Sequence, residues 1–422
     1  MTTTAQDEHL YRYLYASTAR SSNGYSTVSL ATSGGGEPNP WLASGFVVNS
    51  QESARALVAV GGVAAERFWT PPNMLASILA AADPVVTTEA SAIRFESFSL
   101  CGGVYARFDL DSDHFDGKIA HHGTTNIDMG RELKRALSQI GGRDPLKLSI
   151  GMESVEATTM NGQVVERKIP LPERWVRGFA NVSLALSCMQ PVHEISGAGF
   201  RKFVQSTRSP TSRSQLWAVR SGATLRLSAR PRGAAVRANG IERLSALRMV
   251  LPHVTSLVAY GSTGDNTAGT DSTAWVAHLQ GGRVTIALSP EAARGFSGEG
   301  AWLLDQADMD GAFAEHVQQA SVGRVGFDLD QRAWFRRDLP FDRQHLERGG
   351  KRLQQARRLV ESKSVSLLAE GRAAVISGQA EYSVDVAAQS CTCPWWGKYR
   401  GSRGPCKHVL AAILVTQNHT RT

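Results

Sequence analysis

Four residues near the C-terminus have the types and the spacing of metal ligands. Cys391 and Cys393 stand two positions apart. A loop of twelve residues separates them from Cys406 and His408, which repeat the same spacing. The chain has five cysteines, and the other two lie about 200 residues or more before this cluster. A chance gathering of these four residues is therefore a weak explanation.

Three cysteines and one histidine form a complete set of ligands for one Zn²⁺ ion in tetrahedral geometry. Thiols bind metal as thiolates, and the charge of the ion favours their deprotonation. A catalytic zinc keeps one position open for water or substrate and has three protein ligands, whereas a structural zinc has four. The sequence therefore predicts one structural Zn²⁺ held by this cluster.

The residues around the cluster predict the elements that position it. Two strand-like runs, RAAVIS and YSVDVAA, precede the cysteine pair, and the turn SGQAE joins them. The apolar run KHVLAAILV follows and predicts a short helix with His408 in its first turn. About fifty residues with so few apolar groups form only a small core, so we expect their folding to depend on the metal.

This order of elements and ligands resembles the SWIM zinc finger. Residues 405–408, PCKH, are similar to the second half of that motif, and the stretches FSLCGGVYARFDL and VVERKIPLPERWVRGFA resemble the bodies of bacterial SWIM-finger proteins. The resemblance implies zinc binding and a role in contacting DNA or protein. SWIM fingers occur with SNF2-type ATPases, transposases and recombination factors, so a partner such as an SNF2-type ATPase is implied by resemblance only.

The net charge of the whole chain is +8, and the positive charge is concentrated in its second half. Residues 201–250 carry eleven Lys or Arg and one acid, and the chain from Cys391 onward has five basic residues and no acid. Such an excess suits a polyanionic partner such as nucleic acid, with DNA as the first expectation. The candidate contacts are Arg226, Arg230, Arg232, Trp395, Trp396, Lys398, Arg400 and Arg403.

Each of these candidates also has a purely structural interpretation. The arginine-rich run is compatible with a solvated face of a β-rich domain. In the finger loop, Trp395 and Trp396 either stack on bases or cover the zinc site. The neighbouring cations either contact phosphates or offset the net negative charge of a three-thiolate zinc centre. The sequence leaves these alternatives open.

Patterns along the chain predict an α+β protein. Residues 1–40, rich in Ser, Thr and Gly, are expected to be a flexible segment. Residues 41–195 mix helix-like and strand-like patterns, which predicts a mixed α/β domain, while 200–340 predicts a β-rich basic domain. Residues 341–369 are expected to form a helical linker to a small ββα-like zinc finger at 370–419.

Composition limits the classes of function. Hydrophobic residues make up 42% of the 422 residues and charged residues 20%, as in globular proteins. No apolar run approaches the ~20 residues of a membrane span, so we expect a cytoplasmic protein with reduced thiols and no membrane partner. No arrangement of nucleophile and base emerges from spacing, so we expect no enzyme. The leading hypothesis is a zinc-stabilised accessory protein that binds DNA, and the alternative is a protein-interaction adaptor.

Overall fold

The structure is a computed structural model, and it confirms the α+β class. It describes residues 18–22, 25–29, 41–65, 84–127, 129–152, 154–167, 173–207, 216–238, 240–261, 272–289, 296, 316, 319–320, 323–337, 339, 351–399 and 405–420.

Strands dominate the described residues as far as position 336, and four further strands lie after that position. In chain order they are β1 Thr18–Ser22, β2 Tyr25–Ser29, β3 Trp41–Val47, β4 Val85–Glu89, β5 Ala92–Phe98, β6 Val104–Asp111, β7 Phe115–Ile119, β8 Gly123–Asn126, β9 Lys147–Gly151, β10 Ser154–Thr159, β11 Gly162–Arg167, β12 Gln190–Ser196, β13 Trp217–Ser221, β14 Thr224–Ser228, β15 Ala235–Arg237, β16 Ser256–Gly261, β17 Thr273–His278, β18 Gly282–Leu288, β19 Val325–Asp328, β20 Ala333–Arg336, β21 Val365–Leu367, β22 Arg372–Ser377, β23 Ala380–Asp385 and β24 Ser390–Cys391.

Helices lie between these strands and around the metal ligands. They are α1 Ser50–Ala65, α2 Arg131–Gln139, α3 Glu173–Ser187, α4 Gly197–Ser206, α5 Lys351–Glu361, α6 Pro394–Tyr399 and α7 Lys407–Thr420, with 3-10 turns at Ser112–His114, Ile241–Met249, Leu251–His253 and Ala369–Gly371. Within the described parts of the chain, no helix combines the length and the apolar character of a membrane span.

The largest sheet has eight antiparallel strands in the order β12-β16-β17-β18-β6-β5-β4-β8. Strands β6 and β18 pair at its centre, with Phe108 opposite Val284. Four of its strands lie before residue 190, and four begin at residue 190 or later. The boundary expected near residue 195 therefore lies inside one continuous sheet. Pairing between strands so distant in sequence leaves no local signal, so the sequence patterns could not reveal it.

Both faces of this sheet are buried at its strands β5, β6 and β18. On one face α1 packs against β5 and β6, where Leu57 and Val60 meet the core formed around Phe95 and Phe108. Helix α1 also contacts α2, which packs on the five-stranded sheet β11-β10-β9-β3-β7. In that sheet β3 and β7 approach so closely that a Cβ atom on Gly45 would lie 2.5 Å from the Cα atom of Gly117.

The opposite face of the eight-stranded sheet is covered by α3 and by the antiparallel hairpin β19–β20. Buried ion pairs attach this hairpin to the sheet. The carboxylate of Asp328 accepts a hydrogen bond from Arg283 and lies 3.5 Å from the guanidinium of Arg107. Just after the hairpin, Arg337 Nη1 lies 2.6 Å from Glu96 Oε1. These pairs connect sheet and hairpin in the interior, where charges remain only when paired.

A small three-stranded sheet, β14-β13-β15, lies beside α4. We call residues 216–238, which contain it, the arginine sheet. The side chains of Ala218, Leu225 and Val236 point into the protein core. The opposite face carries Trp217, Arg226 and Arg237 beside the buried Val219, so it mixes charged and apolar residues.

The four-stranded sheet β21-β22-β23-β24 surrounds the metal ligands together with α5, α6 and α7. Ala356 and Leu359 on α5 and Val365 on β21 pack into the same small core as Val409 on α7. The described part of the expected linker is therefore an integral part of the finger. We call residues 351–399 and 405–420 the finger module.

Two other segments of the expected domain organisation lie wholly or partly outside the described residues. Residues 341–350 of the expected linker lie outside the described residues. In the segment 1–40, which was expected to be flexible, β1 and β2 form an antiparallel pair with Ala19 opposite Val28. The rest of that segment is also outside the described residues.

Candidate metal centre

The four predicted ligands converge in the finger module. The sulfur atoms of Cys391, Cys393 and Cys406 and a ring nitrogen of His408 all lie within 4.8 Å of one another. The Nδ1 atom of His408 lies 3.8 Å from the Cys391 sulfur and 3.9 Å from the Cys406 sulfur. Atoms at the corners of a tetrahedron around zinc, with bonds of about 2.0–2.3 Å, have separations of this order. All four residues are buried.

Each ligand stands where a regular element begins or ends. Cys391 ends β24, and Cys393 immediately precedes α6, so the chain bends between the two cysteines. Cys406 precedes α7, and His408 is the second residue of that helix. The predicted position of the histidine in the first helical turn is confirmed.

Backbone N–H groups support all three sulfur atoms. Cys393 N donates to the Cys391 sulfur, and Trp396 N donates to the Cys393 sulfur, each at 3.4 Å. Val409 N donates to the Cys406 sulfur, also at 3.4 Å. The last two donors lie in the first turns of α6 and α7, where backbone N–H groups have no partner within the helix. Hydrogen bonds of this kind favour the charged thiolate.

The three thiols influence one another's ionisation. A hydrogen bond shared with Cys391 lowers the pKa of Cys406 to about 4, and the same interaction raises the pKa of Cys391. Burial raises the pKa of Cys393. One negative charge thus forms readily at Cys406, while further charges beside it are disfavoured. A divalent cation removes this opposition and allows all three thiolates to act as ligands.

The imidazole of His408 is held in place by its surroundings. Its ring stacks on the ring of Tyr382, with centroids 4.3 Å apart and an interplanar angle of 21°. Because Nδ1 faces the sulfur atoms, Nε2 points away from them, and it is buried without a hydrogen-bond partner among the described residues. Stacking, rather than a hydrogen bond, therefore orients this ligand.

Helix α5 holds both ends of the loop between the two ligand pairs. Arg352 lies over the ring of Trp395, which follows Cys393, and donates a hydrogen bond of 2.8 Å from Nη1 to Pro405 O. Pro405 immediately precedes Cys406. One guanidinium thus connects the residues that flank two ligands. Sequence analysis missed Arg352, because its contacts cross more than forty positions of the chain.

A closed site with three thiolates and one imidazole defines a structural zinc finger, and the chain binds zinc through it. The model of the SWIM zinc finger family matches residues 377–417, so the chain contains a SWIM zinc finger. The match begins in β22 and covers all four ligands. The folded module extends further towards the N-terminus, to α5.

No curated protein matches the chain. Among solved structures, the chain is similar to proliferating cellular nuclear antigen from Entamoeba histolytica, with 11% identity and a TM-score of 0.40 over 60% of this chain and 99% of that chain. It is also similar to the PCNA2–PCNA3 complex from Sulfolobus tokodaii, with 8% identity and a TM-score of 0.41 over 59% of this chain and 99% of that chain. Neither likeness bears on function at this level of similarity.

The two tryptophans of the finger loop are half-buried and pack against the core of the finger. This packing against the core that contains the ligands is compatible with the interpretation that they cover the metal site, which stays a prediction. Base stacking by their remaining exposed surface stays a prediction. Lys398 is exposed on α6, and Arg400 and Arg403 lie outside the described residues.

The structure divides the arginine-rich run into buried and exposed members. Arg243 is fully buried and donates to Ser289 O and Gly103 O, so it is a structural residue. Arg201 donates to Leu251 O at 3.2 Å. The predicted contacts Arg226, Arg230 and Arg232 are all exposed.

Those three arginines lie on or beside β14 of the arginine sheet. Sequence analysis did not single out Trp217, which lies on the neighbouring strand β13 with Arg237 over its ring. The presence of an aromatic residue within the arginine-rich run was the sequence signal that could have identified Trp217.

Proposed function

We propose that this protein binds nucleic acid, with DNA as the first candidate, and that its zinc finger has a structural role. The observation that carries the proposal is the charge of the arginine sheet. Residues 216–238 contain five arginines and no acidic residue. Four of these arginines are exposed, namely Arg220 and the three predicted contacts Arg226, Arg230 and Arg232. The proposal describes a cytoplasmic accessory protein without catalytic activity of its own.

The position of these arginines favours contact with a phosphate backbone. The turn after β14 is ordered, because Ser228 Oγ donates to Arg230 O at 2.7 Å and accepts from Arg230 N at 3.3 Å. Arginine matches the geometry of phosphate oxygens with two parallel donors. Each phosphate that the arginines neutralise releases counterions from the nucleic acid, which favours binding at low salt.

The salt dependence of binding tests the proposal. For duplex DNA, the logarithm of the binding constant falls with the logarithm of salt concentration by ~0.9 per contacted phosphate. Replacing Arg226, Arg230 and Arg232 together with Gln is expected to lower this slope by roughly two to three units. Because phosphates carry no sequence information, the loss of affinity is expected to be similar on unrelated sequences.

A matched control removes the same charge from another part of the protein. Arg131, Arg135 and Arg143 are exposed on or near α2. Their joint replacement with Gln is expected to change the slope by less than about one unit, since only contacted phosphates contribute. Equal effects of the two triple variants, or no binding of single- or double-stranded nucleic acid at low salt, would refute the proposal.

A second candidate function is supported by exposed apolar residues on the finger module. Leu367, Leu368 and Ile376 are 37%, 53% and 54% exposed on and beside β21 and β22. Exposed large apolar side chains are available for contact with a partner protein. We propose, as the alternative, an adaptor whose partner is a protein, with an SNF2-type ATPase as the class suggested by family resemblance.

Pull-down from the native host with and without nuclease separates the two functions. A partner retained after nuclease treatment, and lost on replacing Leu368 and Ile376 with Ser, supports the adaptor. A partner released by nuclease supports nucleic-acid binding. Surface substitutions of this kind usually change stability by less than ~0.5 kcal/mol, so loss of the partner would not reflect unfolding.

A further inference from the structure

We propose that the outer face of the arginine sheet binds single-stranded nucleic acid, with an unpaired base stacked on the pair formed by Trp217 and Arg237. This inference rests on the proposed nucleic-acid function and names the form of nucleic acid that the surface recognises. It also identifies a base-contacting residue in addition to the arginines that contact phosphates.

The strand register places the relevant side chains on one face. Trp217 stands opposite Ser228 on β14 and opposite Arg237 on β15. Two residues further along β13, Val219 stands opposite Arg226. Residues two apart on a strand, and residues directly opposite each other, share a face of the sheet. Trp217, Arg226 and Arg237 therefore point to the same side.

The residues that alternate with them face the core, so this side is the outer face of the sheet. Ala218, Leu225 and Val236 are 0%, 2% and 1% exposed. Trp217 and Arg237 are half-buried, and Arg226 is exposed. A large aromatic residue thus stands on the face that carries Arg226 and Arg237, beside Val219, which is 2% exposed.

Trp217 and Arg237 form a preordered stack. The central carbon of the Arg237 guanidinium lies over the indole ring, 5.0 Å from its centroid. This contact stabilises the orientation of both side chains. Unpaired bases stack on aromatic rings and on the planes of arginine guanidinium groups, so the pair offers both kinds of surface.

The surroundings leave room for a strand of nucleic acid. Between β14 and β15 the loop consists of Arg230, Arg232 and residues with small or compact side chains. The small residues are exposed, and nothing lies within 4 Å of the position of a Cβ atom on Gly233. The two arginines extend from this loop, next to the end of β14 that carries Ser228, the residue opposite Trp217. A backbone along the loop brings a base to the Trp217–Arg237 pair.

The aromatic residue is the reason to infer a single strand. A duplex keeps its bases stacked inside and presents phosphates to a flat basic surface, so it would engage the arginines and not the indole. A single strand engages both. The surface is therefore expected to bind single strands more tightly than duplexes of the same length.

The test compares binding of one single-stranded oligonucleotide, and of the matching duplex, to the full-length zinc-loaded protein. The variants are Trp217→Ala, Trp217→Phe and Arg220→Gln. Trp217→Ala is expected to weaken single-strand binding by roughly 5- to 150-fold, the effect of losing one stacked base, and duplex binding by less than about twofold. Trp217→Phe retains an aromatic ring, so this variant is expected to keep most of the single-strand affinity of the wild type.

Arg220→Gln is the matched control. Arg220 lies on the same strand, but it stands opposite Leu225 on the inward side, and its Nη1 donates to Glu194 O at 2.7 Å. Its replacement removes one positive charge without touching the stacked pair. We expect both single-strand and duplex affinities to change by less than about threefold, less than the loss from Trp217→Ala.

A second measurement does not depend on the folding of a variant. Photocrosslinking of the wild-type protein to an oligonucleotide with 5-bromodeoxyuridine is expected to attach the strand to the peptide that contains Trp217. Crosslinks confined to other peptides, or equal losses of single-strand and duplex affinity in Trp217→Ala, would overturn this inference and leave the nucleic-acid function standing. Failure of the wild-type protein to bind either form would refute both.

Discussion

The guanidinium of Arg352 lies over the ring of Trp395, with 4.8 Å between its central carbon and the ring centroid. The same group donates to Pro405 O, so a residue of α5 contacts both flanks of the finger loop. This relationship shows why the folded finger is longer than the SWIM motif. The helix before the motif holds the two ligand pairs in register, and it adds apolar area to a core that would otherwise be very small.

Replacing Arg352 with Ala is expected to accelerate the transfer of zinc to a chelator by about tenfold. The variant loses one hydrogen bond and one cation–π contact, together about 1–2 kcal/mol. Arg352→Lys keeps the charge but not the planar geometry, so its effect should be intermediate. Arg358, exposed on the same helix, supplies the control Arg358→Ala. An equal rate in the two alanine variants would show that the contact does not hold the site.

Removing zinc is expected to unfold the finger module from about residue 351, while the eight-stranded sheet keeps its structure. Without the ion, nothing holds the sulfur atoms of the three cysteines together. The small core of the finger is therefore not expected to fold without zinc. Hydrogen exchange followed by mass spectrometry measures the extent of the change with and without chelator, and Cys406→Ser should reproduce it. Absence of zinc from freshly purified protein, or continued protection of α5 after metal removal, would contradict this prediction.

Replacing Arg337 with Met is expected to destabilise the body, meaning the part of the protein around the eight-stranded sheet, by about 3–5 kcal/mol. This is the usual effect of leaving a buried charge, here that of Glu96, without its partner. Arg337 is fully buried, 2.6 Å from Glu96, and its guanidinium lies 4.2 Å from the ring centroid of Phe179. Arg135 on α2 is exposed, so Arg135→Met should change stability by less than ~0.5 kcal/mol. Urea unfolding of the body measures both. A recovery in the double variant Glu96→Gln, Arg337→Met would identify the ion pair as the cause.

Acid is expected to loosen the β19–β20 hairpin through Asp328. Burial alone would raise the pKa of this carboxyl group, but Arg107 and Arg283 outweigh burial and lower the pKa from 3.8 to about 2. A carboxyl group whose pKa is lowered by folding stabilises the protein above its unfolded pKa. It loses that contribution, roughly 2 kcal/mol, as the pH falls from about 5 to 2.

The variant Asp328→Asn carries no charge to titrate, so its urea midpoint should fall less steeply over this pH range than that of the wild type. Asp116 is exposed, and Asp116→Asn serves as the control with an unaltered slope. Parallel pH profiles for the wild type and Asp328→Asn would show that Asp328 does not provide the linkage.

The sequence by itself determined the metal centre. The spacing of Cys391, Cys393, Cys406 and His408 is local, and the strands and helix around them follow from short-range patterns of apolar residues. Metal ligation depends on few residues in fixed order, so the residue types were sufficient to name zinc. The α+β class and the β-rich middle region followed from the same local patterns.

Only the tertiary structure decided which residues meet across long distances. The pairing of β6 with β18 joins two regions that the sequence patterns separated, and Arg352 reaches the finger loop from a helix assigned to a linker. Burial divided the arginine-rich run, placing Arg243 in the core and Arg226 at the surface, on the same face of the sheet as Trp217. Charge and composition are the same for a buried and an exposed arginine, and packing alone distinguishes them, because it determines which side chains face water.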